Sequence, residues 1–362
     1  RQVVATLFQT CTGEKSNPGS DFYFKKPLPF SPVTRTEKLN YVVDTLIRDL
    51  ENPWSIAFLP TGEVLVTERP GRIKIIKEGR LLSDTIKGLP EVFAKGQGGL
   101  HDIELHPDYD KNGIVYLAYA SPGDTSGQGN TAVMMAKLDL DTYSLIQQKE
   151  IFQALPYSGR GVHFGGRIVF DKSGHLYISV GDRGNRDRNP QSLDNHNGKI
   201  HRLNLDGTIP EDNPFYNTPN AIKSIFSYGH RNPQGLAFHP ATGELWEHEH
   251  APKGGDEVNI CRIGRNYGWP LITYGINYDG TIITEDTARE GMEQPITYWD
   301  PSIAPCGMSF VTSGKYPEWK NSLLVGSLKF RYVARLELEG ETVVHEERLL
   351  EDIGRVRAIE EG

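Results

Sequence analysis

An all-β fold, a six-bladed β-propeller preceded by a non-propeller N-terminal extension, is expected for this 362-residue chain. Three observations lead there. A two-strand phrase recurs six times, and its copies lie roughly 50 to 70 residues apart, the length of one four-stranded blade. Composition agrees: 38 Gly and 23 Pro make a chain that turns often, and 16 Tyr and 14 Phe sit among short apolar runs that favour strands. Helical character is scarce, with Thr218–Ser224 and Asp286–Met292 the only candidates, both short.

Residues 1–38 carry Pro18, Pro27, Pro29 and Pro32 with little periodicity, and are expected to form the extension. Leu39–Leu50 (LNYVVDTLIRDL) is expected to be a strand entering the first blade, so that the propeller domain spans 39–362. The phrase then begins. It is a short apolar strand, a Pro/Gly/Asp turn and a second β-rich strand. It reads SIAFLPTGEVLVTE from Ser55, DIELHPDYDKNGIVYLAY from Asp102 and RIVFDKSGHLYISVGD from Arg167. GLAFHPATGELWEHEH follows from Gly235 and GMSFVTSGKYPEWKNSLLVGSLK from Gly307. The sixth copy, RVRAIEEG from Arg355, stops at its turn, so the last blade is expected to be incomplete in this sequence. Phe58, Leu105, Phe170, Phe238, Phe310 and Ile359 are its anchors. A lone hairpin cannot bury its faces, whereas blades stacked around an axis bury both faces of every sheet. A β-sandwich of repeated hairpins is the rival, disfavoured by the regular recurrence.

Charge and hydropathy narrow the function. Lys plus Arg is 39 against 47 Asp plus Glu, a net charge of −8, which argues against a nucleic-acid binder. No apolar stretch approaches the roughly 18 residues that span a bilayer. Arg1–Cys11 is too short and polar for an intact signal peptide, and a signal already removed is compatible with export. Cys11, Cys261 and Cys306 form no CxxC; three unpaired thiols are expected, with one disulfide plus a free thiol left open.

Polar, Gly-rich clusters fall between the repeats, where a propeller builds its channel mouth. They are GQGGLHD (Gly96–Asp102), GVHFGGR (Gly161–Arg167), GDRGNRDRN (Gly181–Asn189), SYGHRNPQG (Ser227–Gly235), EHEHAPKGGDEVN (Glu247–Asn259), RNYGWP (Arg265–Pro270), GSLK (Gly326–Lys329) and RVR (Arg355–Arg357). In this order, HFGGR, GHRNPQG, GGDEVN with NYGWP, and RVR resemble the soluble pyrroloquinoline quinone (PQQ)-dependent sugar dehydrogenases. The family is that of the glucose/sorbosone dehydrogenases, in particular its aldose sugar dehydrogenase branch. The resemblance runs from about Asn52 to the C-terminus, and the family fold is a six-bladed propeller.

The resemblance implies roles. His163 matches the general base, since a neutral imidazole can take the proton of a sugar C1 hydroxyl. Gln97, Arg231, Asn232, Tyr278, Lys329, Arg355 and Arg357 match contacts to PQQ, a flat quinone with three carboxylates that needs cations, Arg above all. Ca²⁺ is the implied metal, a hard cation taking oxygen ligands. The carbonyls of Ala251 and Pro252 match its ligands beside PQQ, although the family usually has Gly where this chain has Ala251. A second Ca²⁺ is implied at Glu257 with the carbonyl of Tyr267, Asp256 helping. Gly165 and Gly166 would let the backbone approach a planar cofactor. Gln97, His163, Arg231, Asn232, Lys329, Arg355 and Arg357 are expected to converge at the propeller axis.

The implied activity is oxidation of an aldose at C1 to its lactone, with electrons leaving to an external acceptor and with a periplasmic or secreted location. No GxGxxG opens a helix after a strand, which disfavours a nicotinamide enzyme. The alternative is a non-catalytic binding module of the same family, which would have lost the base or the cations; a Ca²⁺-dependent propeller lactonase would need converging carboxylates instead. The run Glu247–His250 suggests zinc, but strand alternation puts His248 and His250 on one face and the two Glu on the other. Asp182–Asn189 alternates acids and bases and is expected to be a solvated loop or, equally, to border the substrate entrance. Cys306, where the family commonly has Ser, is expected to be a small loop residue near the channel, and His101 to lie near the substrate pocket.

Overall fold

The computed structural model describes residues 4–9 and 33–362. Strands β1 (Val4–Gln9), β2 (Val33–Arg35) and β3 (Asn40–Val42) come first, and β2 pairs with β3. Five antiparallel four-stranded blades follow. Blade one is β4 (Pro53–Phe58), β5 (Val64–Glu68), β6 (Arg72–Lys77) and β7 (Arg80–Thr85); blade two is β8 (Leu100–Leu105), β9 (Ile114–Pro122), β10 (Gly129–Asp139) and β11 (Ser144–Gln153). Blade three is β12 (Ile168–Phe170), β13 (His175–Val180), β14 (Lys199–Asn204) and β15 (Ile225–Tyr228). Blade four is β16 (Pro233–Phe238), β17 (Leu245–Glu249), β18 (Asp256–Cys261) and β19 (Thr297–Trp299). Blade five is β20 (Pro305–Phe310), β21 (Ser322–Ser327), β22 (Val333–Glu339) and β23 (Thr342–Leu349). Strand β24 (Arg355–Glu361) closes the chain.

The sixth blade departs from expectation. Among the described residues five four-stranded blades are present, not six, and the sixth repeat supplies β24 alone, which pairs with β1 in a two-stranded sheet. The ring still closes, because β24 contacts both β20 and β4, as each inner strand contacts the next. Five of the anchors, Phe58, Leu105, Phe170, Phe238 and Phe310, are the last residues of the inner strands β4, β8, β12, β16 and β20; Ile359 lies within β24.

Burial explains the ring. Strand β9 sends Val115 and Leu117 towards blade one, against Leu65, Ile73 and Ile75, while Tyr116 and Ala118 face Ile168, Leu176 and Ile178 of blade three. Side chains alternate along a strand, so a strand buried on both faces must read as an unbroken apolar run. Further seams join blade three to four through Tyr177 and Leu236, and blade four to five through Trp246 and Val325. Val356 and Ile359 then seal β24 to blade five, and Ala358 seals it to Ile56 and Val66 of blade one. Each fully buried Val, Leu or Ile contributes roughly 1.5–3 kcal/mol.

Three other expectations are corrected. Leu39–Leu50 holds only the three residues of β3, outside blade one, although Ile47 and Leu50 pack against the blade-one core. Thr218–Ser224 and Asp286–Met292 are turns and bends. Pro219 with Asn220 at φ 61° interrupts the first and Gly291 at φ 80° the second, and segments this short do not nucleate a helix unaided. The one α-helix among the described residues is α1 (Tyr109–Asn112). Most of the extension, and Cys11, lie outside the described residues, whereas Cys261 and Cys306 are buried free thiols. Cys306 belongs to β20 and not to a loop.

Candidate active site

In antiparallel blades the start of the inner strand and the end of the second strand share one rim. The Gly-rich clusters meet there. His163 sits just ahead of β12 with φ 54°, a left-handed backbone that costs a non-Gly residue energy and persists only where its surroundings fix it. Those surroundings are specific. Gln97 Oε1 accepts the His163 N–H at 2.8 Å. Arg183, buried against the Phe164 ring at 3.4 Å, donates to the carbonyls of Val162 and Arg160 at 2.6 and 2.7 Å.

The His163 ring meets Asp182, whose Oδ1 lies 2.6 Å from Nδ1. Asp182 Oδ2 accepts the Trp269 indole N–H at 2.9 Å, and the Asp182 N–H donates to the Arg231 carbonyl at 2.8 Å. Burial, the largest influence, pushes the His163 imidazole below its usual value; the Asp182 hydrogen bond opposes this and the Arg231 charge adds to it. Burial raises the Asp182 carboxyl, but the hydrogen bond from His163, the charges of His163 and Arg231, and the Trp269 donor outweigh it and hold the carboxyl below the usual range. A neutral imidazole beside an ionised carboxylate results near neutral pH.

Arg231 and Asn232 precede β16. Their N–H groups both donate to Glu249 Oε2, and Arg231 Nη1 donates to the His250 carbonyl at 2.7 Å. Asn232 Oδ1 accepts the Gly165 N–H at 3.2 Å. Gln234 Nε2 donates to the Gly165 carbonyl at 3.1 Å, while its Oε1 accepts from Arg357 Nη1 at 3.2 Å. Asp256 takes the Ala251 N–H on Oδ1 at 2.8 Å and the Ala304 N–H on Oδ2 at 2.7 Å. The Ala304 carbonyl in turn accepts the Leu328 N–H, next to Lys329. One hydrogen-bonded arc thus links Gln97, His163, Asp182, Arg231, Ala251 and the Lys329 turn, with Asn232 and Arg357 joined through Gln234.

Tyr278, Arg355, Pro252, Glu257 and Tyr267 take no part in the hydrogen bonds just described. Tyr278 is 73% exposed, on a loop held through Asn277 Oδ1 to Arg186 at 2.6 Å. Arg355 opens β24, partly buried. Pro252 is buried beside Ala251, which is not among the positive-φ residues, so no strain attends Ala there. Glu257 stands opposite Glu249 across β17 and β18, and burial, then the Glu249 charge, push its carboxyl up to about 8. Burial likewise takes Asp256 to about 6. Tyr267 is buried with its ring stacked on His230.

Several expectations about single residues change. Asp182–Asn189 is not simply a solvated loop: Asp182, Arg183 and Asn189 are buried, because the first two hold the His163 loop. On the side of the missing Cβ, Gly165 and Gly166 meet protein. A Cβ on Gly165 would lie 2.6 Å from the Ser179 carbonyl oxygen, and one on Gly166 would lie 2.5 Å from His101 Nδ1. His101 is buried between Trp54 and Phe164, its Nε2 3.1 Å from the Gln97 carbonyl, so it wedges the loop from beneath. Asp182 and Trp269 escaped sequence reasoning as functional residues. The signals were an acid directly after a strand, in HLYISVGD, and an aromatic in NYGWP.

Comparison with known proteins fits this geometry. The family model for Glucose / Sorbosone dehydrogenase matches residues 50–362. Aldose sugar dehydrogenase YliI of Escherichia coli (strain K12) is 42% identical over 324 residues, 88% of this chain and 87% of that protein. Quinoprotein glucose dehydrogenase B of Acinetobacter calcoaceticus is 30% identical, covering 86% of this chain and 80% of the relative. The PQQ-bound form of an aldose sugar dehydrogenase from Streptomyces coelicolor superposes with a TM-score of 0.74 at 27% identity, covering 92% of this chain and 90% of that one. With the family matched over nearly the whole propeller, the chain belongs to the glucose/sorbosone dehydrogenases.

Proposed function

We propose that this protein oxidises the C1 hydroxyl of an aldose to the lactone, using PQQ and Ca²⁺ and passing electrons to an external acceptor. The observation that carries the reading is the His163–Asp182 pair, beside an Arg231 whose charge reaches both. Asp182 occupies Nδ1, which leaves Nε2 of a neutral imidazole to receive the hydroxyl proton. As that proton arrives, the ionised Asp182 stabilises the imidazolium, and Trp269 keeps the carboxylate aimed at the ring.

The residues present fit the cofactor. Arg231, Lys329 and Arg357 have no carboxylate partner within 4.0 Å among the described residues, so three cations are available to a tricarboxylate. The Ala251–Pro252 turn, fixed by Asp256, offers carbonyls of the hard type that Ca²⁺ takes, and the buried Glu257 carboxyl is one that a cation would keep ionised. When bound, PQQ supplies the hydride acceptor and Ca²⁺ the Lewis acid. The protein's own part is to bind, to orient and to take the proton. The proposal extends to a periplasmic or secreted location, as in the family at large; fractionation of the source cells tests it.

Reconstitution tests the activity. Purified protein with PQQ and Ca²⁺ is given a panel of aldoses and a dye acceptor. Dye reduction that requires sugar, PQQ and Ca²⁺ together supports the reading. Folded protein that neither binds PQQ nor reduces dye favours the binding-module alternative.

A further inference from the structure

His163 is held from both sides by a residue that takes no step in the proposed oxidation. Arg183 follows Asp182 directly, on the loop after β13. The Asp182 carboxylate takes the imidazole. The Arg183 side chain takes the chain on either side of that imidazole. Its Nη1 donates to the carbonyl of Val162, the residue before His163, at 2.6 Å, and its guanidinium carbon lies 3.4 Å from the ring centroid of Phe164, the residue after it. Its Nη2 reaches the Arg160 carbonyl at 2.7 Å and the carbonyl of Gly129, where β10 begins, at 3.3 Å. In return Arg160 Nη1 donates to the Gly184 carbonyl, so two arginines clasp the loops reciprocally. A Cβ on Gly181 would lie 2.3 Å from the His163 carbonyl oxygen, so the loops also touch along their backbones. His163 and Arg183 are both left-handed, at φ 54° and 56°. Two such non-Gly residues persist only where their contacts fix them.

An arginine buried this deeply is ordinarily paired with a carboxylate. Arg183 is 1% exposed, and no carboxylate lies within 4.0 Å of it among the described residues. Carbonyl dipoles and an aromatic face solvate it instead. Those partners satisfy its donors but carry no net charge, so the cation's field acts on its surroundings. Burial lowers Arg183 to about 9, which leaves it charged at neutral pH.

We propose that Arg183 is a positioning residue for His163, fixing its backbone through Val162 and Phe164 while its unpaired charge disfavours a second cation on the imidazole. The inference rests on His163 as the base. The charged groups around that imidazole are Asp182 and Arg183 from the loop after β13 and Arg231 from the loop before β16. Gln97 and Trp269 are neutral, and His101, beneath the loop, is kept neutral by burial, which takes it to about 3. Burial lowers His163 most; the hydrogen bond and charge of Asp182 oppose this, and the charges of Arg231 and Arg183 add to it. Arginine suits both tasks, because a planar fork spans two carbonyls while stacking on a ring. Its removal frees the loop and makes the histidine more basic.

Full-chain protein without PQQ, ¹⁵N-labelled at histidine, is titrated by NMR, with the His163 ring assigned by its loss in His163→Ala. In Arg183→Met the His163 imidazole is expected to titrate about half a pH unit above wild type. Arg160→Met breaks the other half of the clasp and removes only a solvated charge, so it is expected to leave the titration in place. Loosening alone would move both variants alike. An unmoved His163 in Arg183→Met, or an equal shift in Arg160→Met, overturns the proposal. Arg183→Gln, which loses the charge but keeps a donor for one carbonyl, replaces Arg183→Met where that variant fails to fold, with the same shift expected. In the reconstituted enzyme Arg183→Met should lower kcat by about 10–10²-fold with PQQ affinity kept; unchanged kcat overturns the positioning role. The titration needs neither PQQ nor sugar, so its failure leaves the proposed oxidation standing, and a wild type without dye reduction strikes the oxidation while the titration is still read.

Discussion

Asp182 Oδ1 lies 2.6 Å from His163 Nδ1, and the same carboxylate receives the Trp269 indole at 2.9 Å through its other oxygen. Both carboxylate oxygens are thereby committed, so the imidazole has one orientation. Asp182→Asn preserves the shape and removes the charge. It is expected to lower kcat by about 10²–10⁴-fold while PQQ still binds, because an amide neither fixes the tautomer nor stabilises the imidazolium. His163→Ala should fall in the same range. Steady-state kinetics beside a PQQ titration checks this, and an Asp182→Asn enzyme with wild-type kcat would remove Asp182 from the mechanism.

The pH profile gives an independent check. Burial holds His163 below its usual value, and a base works only when deprotonated. Activity should therefore rise with pH through an apparent pKa below 6.5 and then level. Asp182 supports the protonated form, so Asp182→Asn should move the acid limb lower still. The profile of kcat/KM against pH reads both effects. A wild-type limb above 6.5 contradicts the assignment of His163 as the base.

Much of this was legible in the sequence because the signals are local. Apolar runs such as Ile114–Ala120 mark strands buried on both faces, and recurring turns mark the blades. His163 and Arg231 stand in distinctive Gly-rich loops. Asp182 was not legible, since an acid in a run of alternating charge looks solvated, and only the fold brings it under His163. What stands on the side of the missing Cβ of Gly165 and Gly166 was hidden for a related reason, since only the fold brings Ser179 and His101 there. Ring closure by β24 and β1 was equally hidden, because it joins the two ends of the chain.

Buried histidines make stability depend on pH. His248 is fully buried, and burial pushes its imidazole down to about 3. The unfolded chain binds this proton near pH 6.5, the folded one only near 3. The stability contributed is therefore complete above 6.5 and is lost as pH falls towards 3. His248→Gln, which keeps a donor for the Gly307 carbonyl, abolishes that dependence. Relative to wild type, the variant should gain about 2 kcal/mol between pH 7 and pH 5. Denaturant unfolding at the two values measures it, and equal differences at both would show that His248 is not neutral in the fold.

Asp102 and Arg167 form the last test, of what holds the axis together. Asp102 sits in β8, and its Oδ1 accepts from Ser55 Oγ of β4 at 2.5 Å and from Arg167 Nη1 at 3.1 Å. Its Oδ2 accepts the Ile168 N–H of β12 at 3.0 Å. Arg167 continues the network, donating to the carbonyls of Gln234 in β16 at 3.0 Å and of Arg357 in β24 at 2.8 Å, with its guanidinium 4.1 Å from the Trp54 ring centroid. Five of the six inner strands are tied through this one buried pair. Removing one partner strands the other's charge, so Asp102→Ala should cost about 3–5 kcal/mol. The double variant Asp102→Ala/Arg167→Met should cost clearly less than the sum of its parts, because the second change removes the uncompensated charge left by the first. Unfolding free energies of the four proteins decide it. Additive losses would mean that the two residues act through separate contacts, and that the axis is held by the apolar seams alone.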